Sequence, residues 1–169
     1  IHKKLKIKYK NLLTVIIPRH IHRIKKITKE LKEMNLKIHL HDSKNRIDKK
    51  TDIYLVNSFG QTQSFFKTCK TVFLGGSIIE HGGQNPLEAA KYGCQILHGK
   101  NIWNFKEIYN LLEVHKVSYK ITTSNQLAHK MEQILNSNKN SKNLQLKIKN
   151  LGSKILNSTL NEIIFYINK

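Results

Sequence analysis

The sequence predicts an α/β domain: a mostly parallel sheet with helices on both faces. Three observations carry that expectation. Short apolar, β-branched runs alternate along the chain with longer segments whose apolar residues recur at helical spacing. The length, 169 residues, suits one ordinary domain. The apolar share of 39% can fill a core, and the charged share of 24% is near the globular average.

The elements follow in order. Leu12 to Ile17 (LLTVII) is a buried strand that Pro18 ends. Ile21, Ile24, Ile27, Leu31 and Met34 then recur on one face, with lysines and glutamates between them, which predicts an amphipathic helix. Lys37 to His41 and Ile53 to Val56 are the second and third strands. A helix follows around Phe65 and Phe66, then a fourth strand at Val72 to Leu74. After a glycine-rich stretch, Gly75 to Gly83, a short helix begins at Pro86. A strand near Gln95 to Leu97, a helix from about Asn104 to Leu112 and a strand at Val117 to Ile121 complete the alternation. Two helices close the chain. The last carries Leu144, Ile148, Leu151, Ile155, Ile163 and Ile167 on one stripe, and Asn136 to Asn143 between them reads as a polar loop.

Composition excludes more than it names. The chain begins at Ile1 rather than Met, and no stretch approaches the roughly 18 consecutive apolar residues of a membrane span. No secretory leader is recognisable. The expectation is a fragment of a longer protein. Cys69 and Cys94 have no CxxC spacing and are expected as reduced, buried or half-buried thiols, with no nucleophilic role for Cys94. The net charge is +19. Its lysines are dispersed among many Asn and Ile residues, so the charge supplies a field toward phosphates and anionic lipid without naming a partner. His39, His41 and Asp42 lie together, but a zinc site needs three or four convergent ligands. The expectation is no metal site and ordinary exposed histidines.

Residues with chemical potential should lie just after strands, because ligands of parallel sheets bind beyond the carboxyl ends. The segment from Gly75 to Glu88 does so. Asn85 is a favoured N-cap, Pro86 a favoured first helical residue and Glu88 the third, a capping-box-like arrangement. Glycines before a helix N-terminus also let an anion approach backbone N–H groups. Helix initiation and anion binding both remain open for these residues. The dinucleotide GxGxxG and the phosphate-loop GxxxxGK[ST] patterns are absent. Pro18-Arg19-His20 follows the first strand. A guanidinium there suits a phosphate, or is a surface arginine. Asn57 to Gln61 follows the third strand, with Gly60 permitting a tight turn and Phe59 available to a nucleobase. An ordinary strand-to-helix turn reads the same way.

The order PRH (18–20), NSFGQ (57–61), VFLGGSIIEHGGQNPLEAA (72–90) and NIWNF (101–105) resembles the C-terminal domain of 3-deoxy-D-manno-octulosonic acid (Kdo) transferase, from about Leu12 to Leu112. The resemblance implies a Rossmann-like domain, the C-terminal half of a GT-B glycosyltransferase that moves Kdo from CMP-Kdo to a lipid A precursor. It implies that residues 1–169 form the donor-binding domain, with the N-terminal acceptor domain absent from this chain. It gives Pro18 and Arg19 to CMP, Phe59, Gly60 and Gln61 to the nucleobase loop, and Asn85, Pro86, Leu87 and Glu88 to the NPLE segment, with Glu88 on the ribose hydroxyls. The catalytic base belongs to the missing N-terminal domain, so no catalytic residue and no cofactor are expected here. Asn57, Ser58 and Gln61 depart from the family's Asp, Thr and Glu. Lys100 and Asn101 replace its Pro-His. The implied partners are CMP-Kdo, the lipid A precursor, the N-terminal domain and the anionic surface of the bacterial inner membrane, at its cytoplasmic face, with no nucleic acid. Two rival readings are a basic α/β module for nucleic acid and half of a UDP-sugar epimerase. The first wants aromatics interleaved with basic residues on one surface, a pattern not evident here.

Overall fold

The computed structural model describes residues 1–42, 44–137 and 141–167. They divide into two compact units, Ile1–Phe65 and Phe66–Lys169.

The first unit holds helix α1 (His2–Lys8), strand β1 (Thr14–Ile16), a 3-10 turn (Ile21–Arg23), helix α2 (Ile24–Glu33), and strands β2 (Ile38–Leu40) and β3 (Ile53–Leu55). The strands form a parallel sheet in the order β1-β3-β2, with Ile16 and Leu40 both in register with Leu55. Parallel strands need crossovers, and α2 supplies the one from β1 to β2. Ile53, Leu55 and Val56 are buried. Helix α1 was not anticipated from the sequence. It is tied to the sheet by polar contacts around Asp52. Its carboxylate lies 3.3 Å from His2 Nε2 and 3.3 Å from Lys6 Nζ, and accepts the Lys37 N–H at 3.0 Å. That N–H is the foremost cause holding the Asp52 carboxyl below its ordinary value, and His2 and Lys6 add to it.

Helix α3 (Thr62–Thr68) runs across the boundary between the units. The second unit contains strands β4 (Thr71–Leu74), β5 (Gln95–His98) and β6 (Ser118–Lys120), paired in parallel in that order. Helices α4 (Leu87–Lys91), α5 (Lys106–Val114), α6 (Ser124–Asn136) and α7 (Ser141–Ile167) accompany them. All four residues of β5 are buried, and alternation explains why. Ile96 joins a cluster with Leu74, Ala89, Ala90, Cys94, Tyr109 and Leu112, against which Leu144 and Ile148 pack. Leu97, on the opposite face, joins Leu127 and Ile134 of α6. This strand is covered on both sides, as parallel sheets require.

Several expected boundaries shift. The helix expected from Asn104 is a 3-10 turn at Trp103–Phe105 followed by α5. The loop expected over Asn136 to Asn143 is shorter, because α6 includes Asn136 and α7 begins at Ser141. Its residues 138–140 lie outside the described set. Only the start of the final stripe packs: Ile155, Ile163 and Ile167 are exposed. No described helix is long and apolar enough to cross a membrane. Cys69 is half-buried, Cys94 is buried, and both are free thiols. His39 and His41 are half-buried rather than exposed. His39 stacks on Tyr54, and His41 Nδ1 lies 2.8 Å from the Tyr54 hydroxyl.

Candidate functional site

In the first unit the segments after β1, β2 and β3 leave one edge of the sheet, as their register dictates. Val56 N–H donates to Ile16 O and His41 N–H to Leu55 O, so the strand ends stay side by side. Pro18 and Arg19 follow β1 there, and Arg19 is exposed with no acid partner among the described residues. Phe59, Gly60 and Gln61 follow β3. Phe59 is largely exposed, Gly60 has φ +78°, and the Gln61 carbonyl accepts the Ser64 N–H at the start of α3. The positive φ is the left-handed turn for which glycine is suited. Asn57 Oδ1 accepts the Asp42 N–H at 3.3 Å, tying the β2 and β3 ends together. Ser58 Oγ is buried with no partner among the described residues.

The glycine-rich segment of the second unit leaves the corresponding edge of its sheet, after Leu74. It is anchored rather than loose. Ser77, fully buried, donates through Oγ to Leu74 O at 2.6 Å and accepts the Gly99 N–H at 2.8 Å. Asn101 donates its backbone N–H to Ser77 O and its side-chain N–H to Ile78 O. Gly83 N–H closes the loop onto Gly76 O at 3.1 Å. Beneath it, His98 is fully buried. Its Nδ1 lies 2.8 Å from Gly99 O, its Nε2 3.0 Å from Glu113 Oε1, and its ring 4.3 Å from that of Tyr109. The loop tip, Ile78 to His81, is exposed.

Asn85 Oδ1 accepts the Leu87 N–H at 2.9 Å, but the helix begins at Leu87 with Pro86 at the cap position, one residue later than expected, so Glu88 is its second residue rather than its third. The reciprocal half is missing. Glu88 makes no hydrogen bond to Asn85, and its carboxylate is exposed without a partner among the described residues. Pro86 is fully buried and orients the segment, whereas Asn85, Leu87 and Glu88 face outward. The expected anion site at this helix N-terminus is weaker than its sequence implies. Helix α4 has five residues, and Asn85 already occupies the Leu87 N–H. Within each unit the expected residues gather at one sheet edge. Sequence reasoning missed Ser77, Gly99 and His98 as supports, and counted Asn101 only as a departure.

No family model matches the chain. Over 156 residues it is 31% identical to 3-deoxy-D-manno-octulosonic acid transferase of Haemophilus influenzae, covering 92% of this chain and 36% of that protein. The chain is a relative of Kdo transferase. The Aquifex aeolicus Kdo transferase is 24% identical over 137 residues, 81% of this chain and 37% of that protein. A bifunctional glycosyltransferase/methyltransferase of Fusobacterium nucleatum is 29% identical over 129 residues, 75% of this chain and 20% of that protein. The chain thus spans little more than a third, or less, of the length of these relatives. The crystal structure of the C-terminal CMP-Kdo binding domain of WaaA from Acinetobacter baumannii superposes with a TM-score of 0.79 at 21% identity, over 88% of this chain and 77% of that one. The likeness bears out the expected Rossmann-like α/β fold of a C-terminal GT-B domain.

Proposed function

We propose that the chain is the donor-binding domain of a glycosyltransferase that moves Kdo from CMP-Kdo to a lipid A precursor. The observation that carries the reading is the relationship to Kdo transferase over 92% of the chain. In this reading Arg19 contacts the departing CMP phosphate, where a fixed cation stabilises developing charge. Phe59, Gly60 and Gln61 form the nucleobase loop, and Glu88 accepts hydrogen bonds from the ribose hydroxyls. The base that deprotonates the acceptor lies in the part of the relatives that this chain does not span. The nucleic-acid and epimerase alternatives draw no support from these relatives.

Calorimetric titration with CMP, UMP and AMP tests the reading. Saturable, preferential CMP binding without transfer of Kdo is expected; equal binding of all three, or none, refutes it. Glu88→Gln tests the ribose assignment. Glutamine keeps one acceptor oxygen but loses the charge, so CMP affinity should fall about ten- to a hundredfold, the equivalent of about 1.5–3 kcal/mol. Thermal stability should hold, because Glu88 closes no capping bond. 2′,3′-Dideoxy-CMP should bind wild type and variant alike. We further propose that the chain's positive field helps hold the enzyme at the cytoplasmic leaflet of the inner membrane, at about 1 kcal/mol per lysine near the surface. Vesicle sedimentation checks this: equal binding to neutral and anionic vesicles refutes it.

A further inference from the structure

His98 supports both ends of the segment that leads to Asn85 and Glu88. At the near end its Nδ1 lies 2.8 Å from Gly99 O, and the Gly99 N–H donates to Ser77 Oγ at 2.8 Å. At the far end the His98 ring packs on Tyr109, with centroids 4.3 Å apart. The Tyr109 hydroxyl donates to Gln84 O at 2.9 Å, one residue before Asn85. One imidazole thus stands behind the anchors of Ser77 and Gln84, on either side of the exposed loop tip.

The ring also carries a constraint on protons. It is fully buried, with Nε2 3.0 Å from Glu113 Oε1. A carbonyl and an ionised carboxylate only accept, and a neutral imidazole has one donor. Both contacts are hydrogen bonds together only while His98 and Glu113 hold one proton more than a neutral ring beside an ionised carboxylate. Once that proton leaves, one contact sets a nitrogen lone pair against oxygen, whichever tautomer remains. A buried charge is costly unless paired, and Glu113 pairs this one. The Glu113 side chain is 37% exposed, which gives the buried pair a way to exchange its proton with water. Beside the ring lie Tyr109 from α5 and, in register on β6, the exposed Lys120; β4 presents Leu74, which does not titrate. Burial pushes the Tyr109 hydroxyl up, so it stays a donor to Gln84 when the pair titrates.

We propose that His98 is a positioning residue for the glycine-rich loop, and that the proton it shares with Glu113 acts as a latch. With the proton held, the loop is tight. As pH rises and the proton leaves, the Gly99 and Ser77 anchors loosen and donor affinity falls. The latch is read from the fold, and only its effect on CMP rests on the donor-binding reading.

The test follows the full chain by NMR from about pH 6 to about pH 9. The imidazole nitrogen shifts of His98, assigned through the ring's contact with Tyr109, report its proton. Exchange protection of the Gly99, Asn101 and Gly83 amides reports the loop. That protection should fall about tenfold or more as the His98 signals titrate, as loss of a charge-assisted bond predicts. The Val56 amide of the first unit should keep its protection. Glu113→Gln retains an acceptor for Nε2 but not the charge, so it should move the fall to lower pH. His115→Gln, at the same end of α5, should not. CMP affinity should fall with the same midpoint as the loop. A His98 ring that does not titrate in this range, or loop protection that stays flat while it does, overturns the latch. So do equal responses to Glu113→Gln and His115→Gln. CMP binding that ignores the loop's midpoint overturns the positioning role. Absence of CMP binding at every pH refutes the donor reading instead, and the protection measurements alone then decide the latch.

Discussion

A methyl group at Gly99 is the sharpest probe of the loop that carries Asn85 to Glu88. A Cβ there would sit 2.2 Å from Ser77 O and 2.5 Å from Ser77 C, both backbone atoms that no side-chain rotation can move away. Gly99→Ala must therefore push the Gly99 and Ser77 segments apart. The Gly99 N–H to Ser77 Oγ bond, 2.8 Å and buried, would be lost with them. Overpacking of this kind costs about 1–3 kcal/mol, and a lost hydrogen bond about 0.5–1.5 kcal/mol. The sum, about 1.5–4.5 kcal/mol, lowers Tm by roughly 3–18 °C for a chain of this size. Gly75→Ala is the internal control, since a Cβ there meets nothing within 4 Å and should leave stability within about 0.5 kcal/mol. Trp103, the single tryptophan, lies in the segment following Gly99, so its fluorescence reports on this region. Thermal unfolding followed by that signal should separate the two variants. If Gly99→Ala melts with wild type, the loop does not lean on residue 99 and its anchoring has been misread.

Two further outcomes follow from titrating groups. The Asp52 carboxyl is held below its ordinary value of 3.8, so it contributes stability above that pH and loses it as pH falls through the folded value. Asp52→Asn should cost about 1–2 kcal/mol at neutral pH, and urea midpoints of wild type and variant should converge as pH drops below 3.8; a constant gap would place the effect elsewhere. Burial, with Cys69 as a lesser neighbour, pushes the Cys94 thiol from 9.0 up to about 12. At pH 8 its thiolate is on the order of one part in ten thousand, so native alkylation should run about a thousandfold slower than in urea. Prompt labelling of Cys94 in the folded chain would contradict its burial.

What the sequence disclosed was local. Strands β1 to β6 were legible because β-branched runs end at Pro18, glycines or polar turns, and α2 because Ile24, Ile27 and Leu31 repeat at helical spacing. Arg19, Phe59 and Asn85 to Glu88 stood out because they follow strands. The supports did not stand out, since they pair over distance. Ser77 meets Gly99 across 22 positions and Asn101 reaches Ile78 across 23. No local pattern marks such bonds. Helix α1 was missed for the same reason. Its seven residues, HKKLKIK, carry little amphipathic signal, and His2 and Lys6 are held by Asp52, some fifty positions away. Asn101 stitches the loop through its own bonds, its backbone N–H to Ser77 O and its side-chain N–H to Ile78 O.

Strand β5 brings these points together. It is buried along its whole length, yet it carries a polar residue at each end, Gln95 and His98. A buried polar group is costly unless bonded, and only the carboxyl end offsets that cost with described bonds. At the carboxyl end both His98 nitrogens face acceptors, Gly99 O and Glu113 Oε1, and Gly99 in turn donates to Ser77. The polar groups there bond to one another, and the result is a braced loop. At the amino end the Gln95 side-chain oxygen is buried with no partner among the described residues. A residue serving packing alone could be leucine there, as the neighbouring Ile96 and Leu97 suggest, and the sheet would lose no described side-chain bond. Replacing His98 would remove two. The same strand therefore separates a polar residue braced by its own bonds from one whose buried side-chain oxygen has no partner among the described residues.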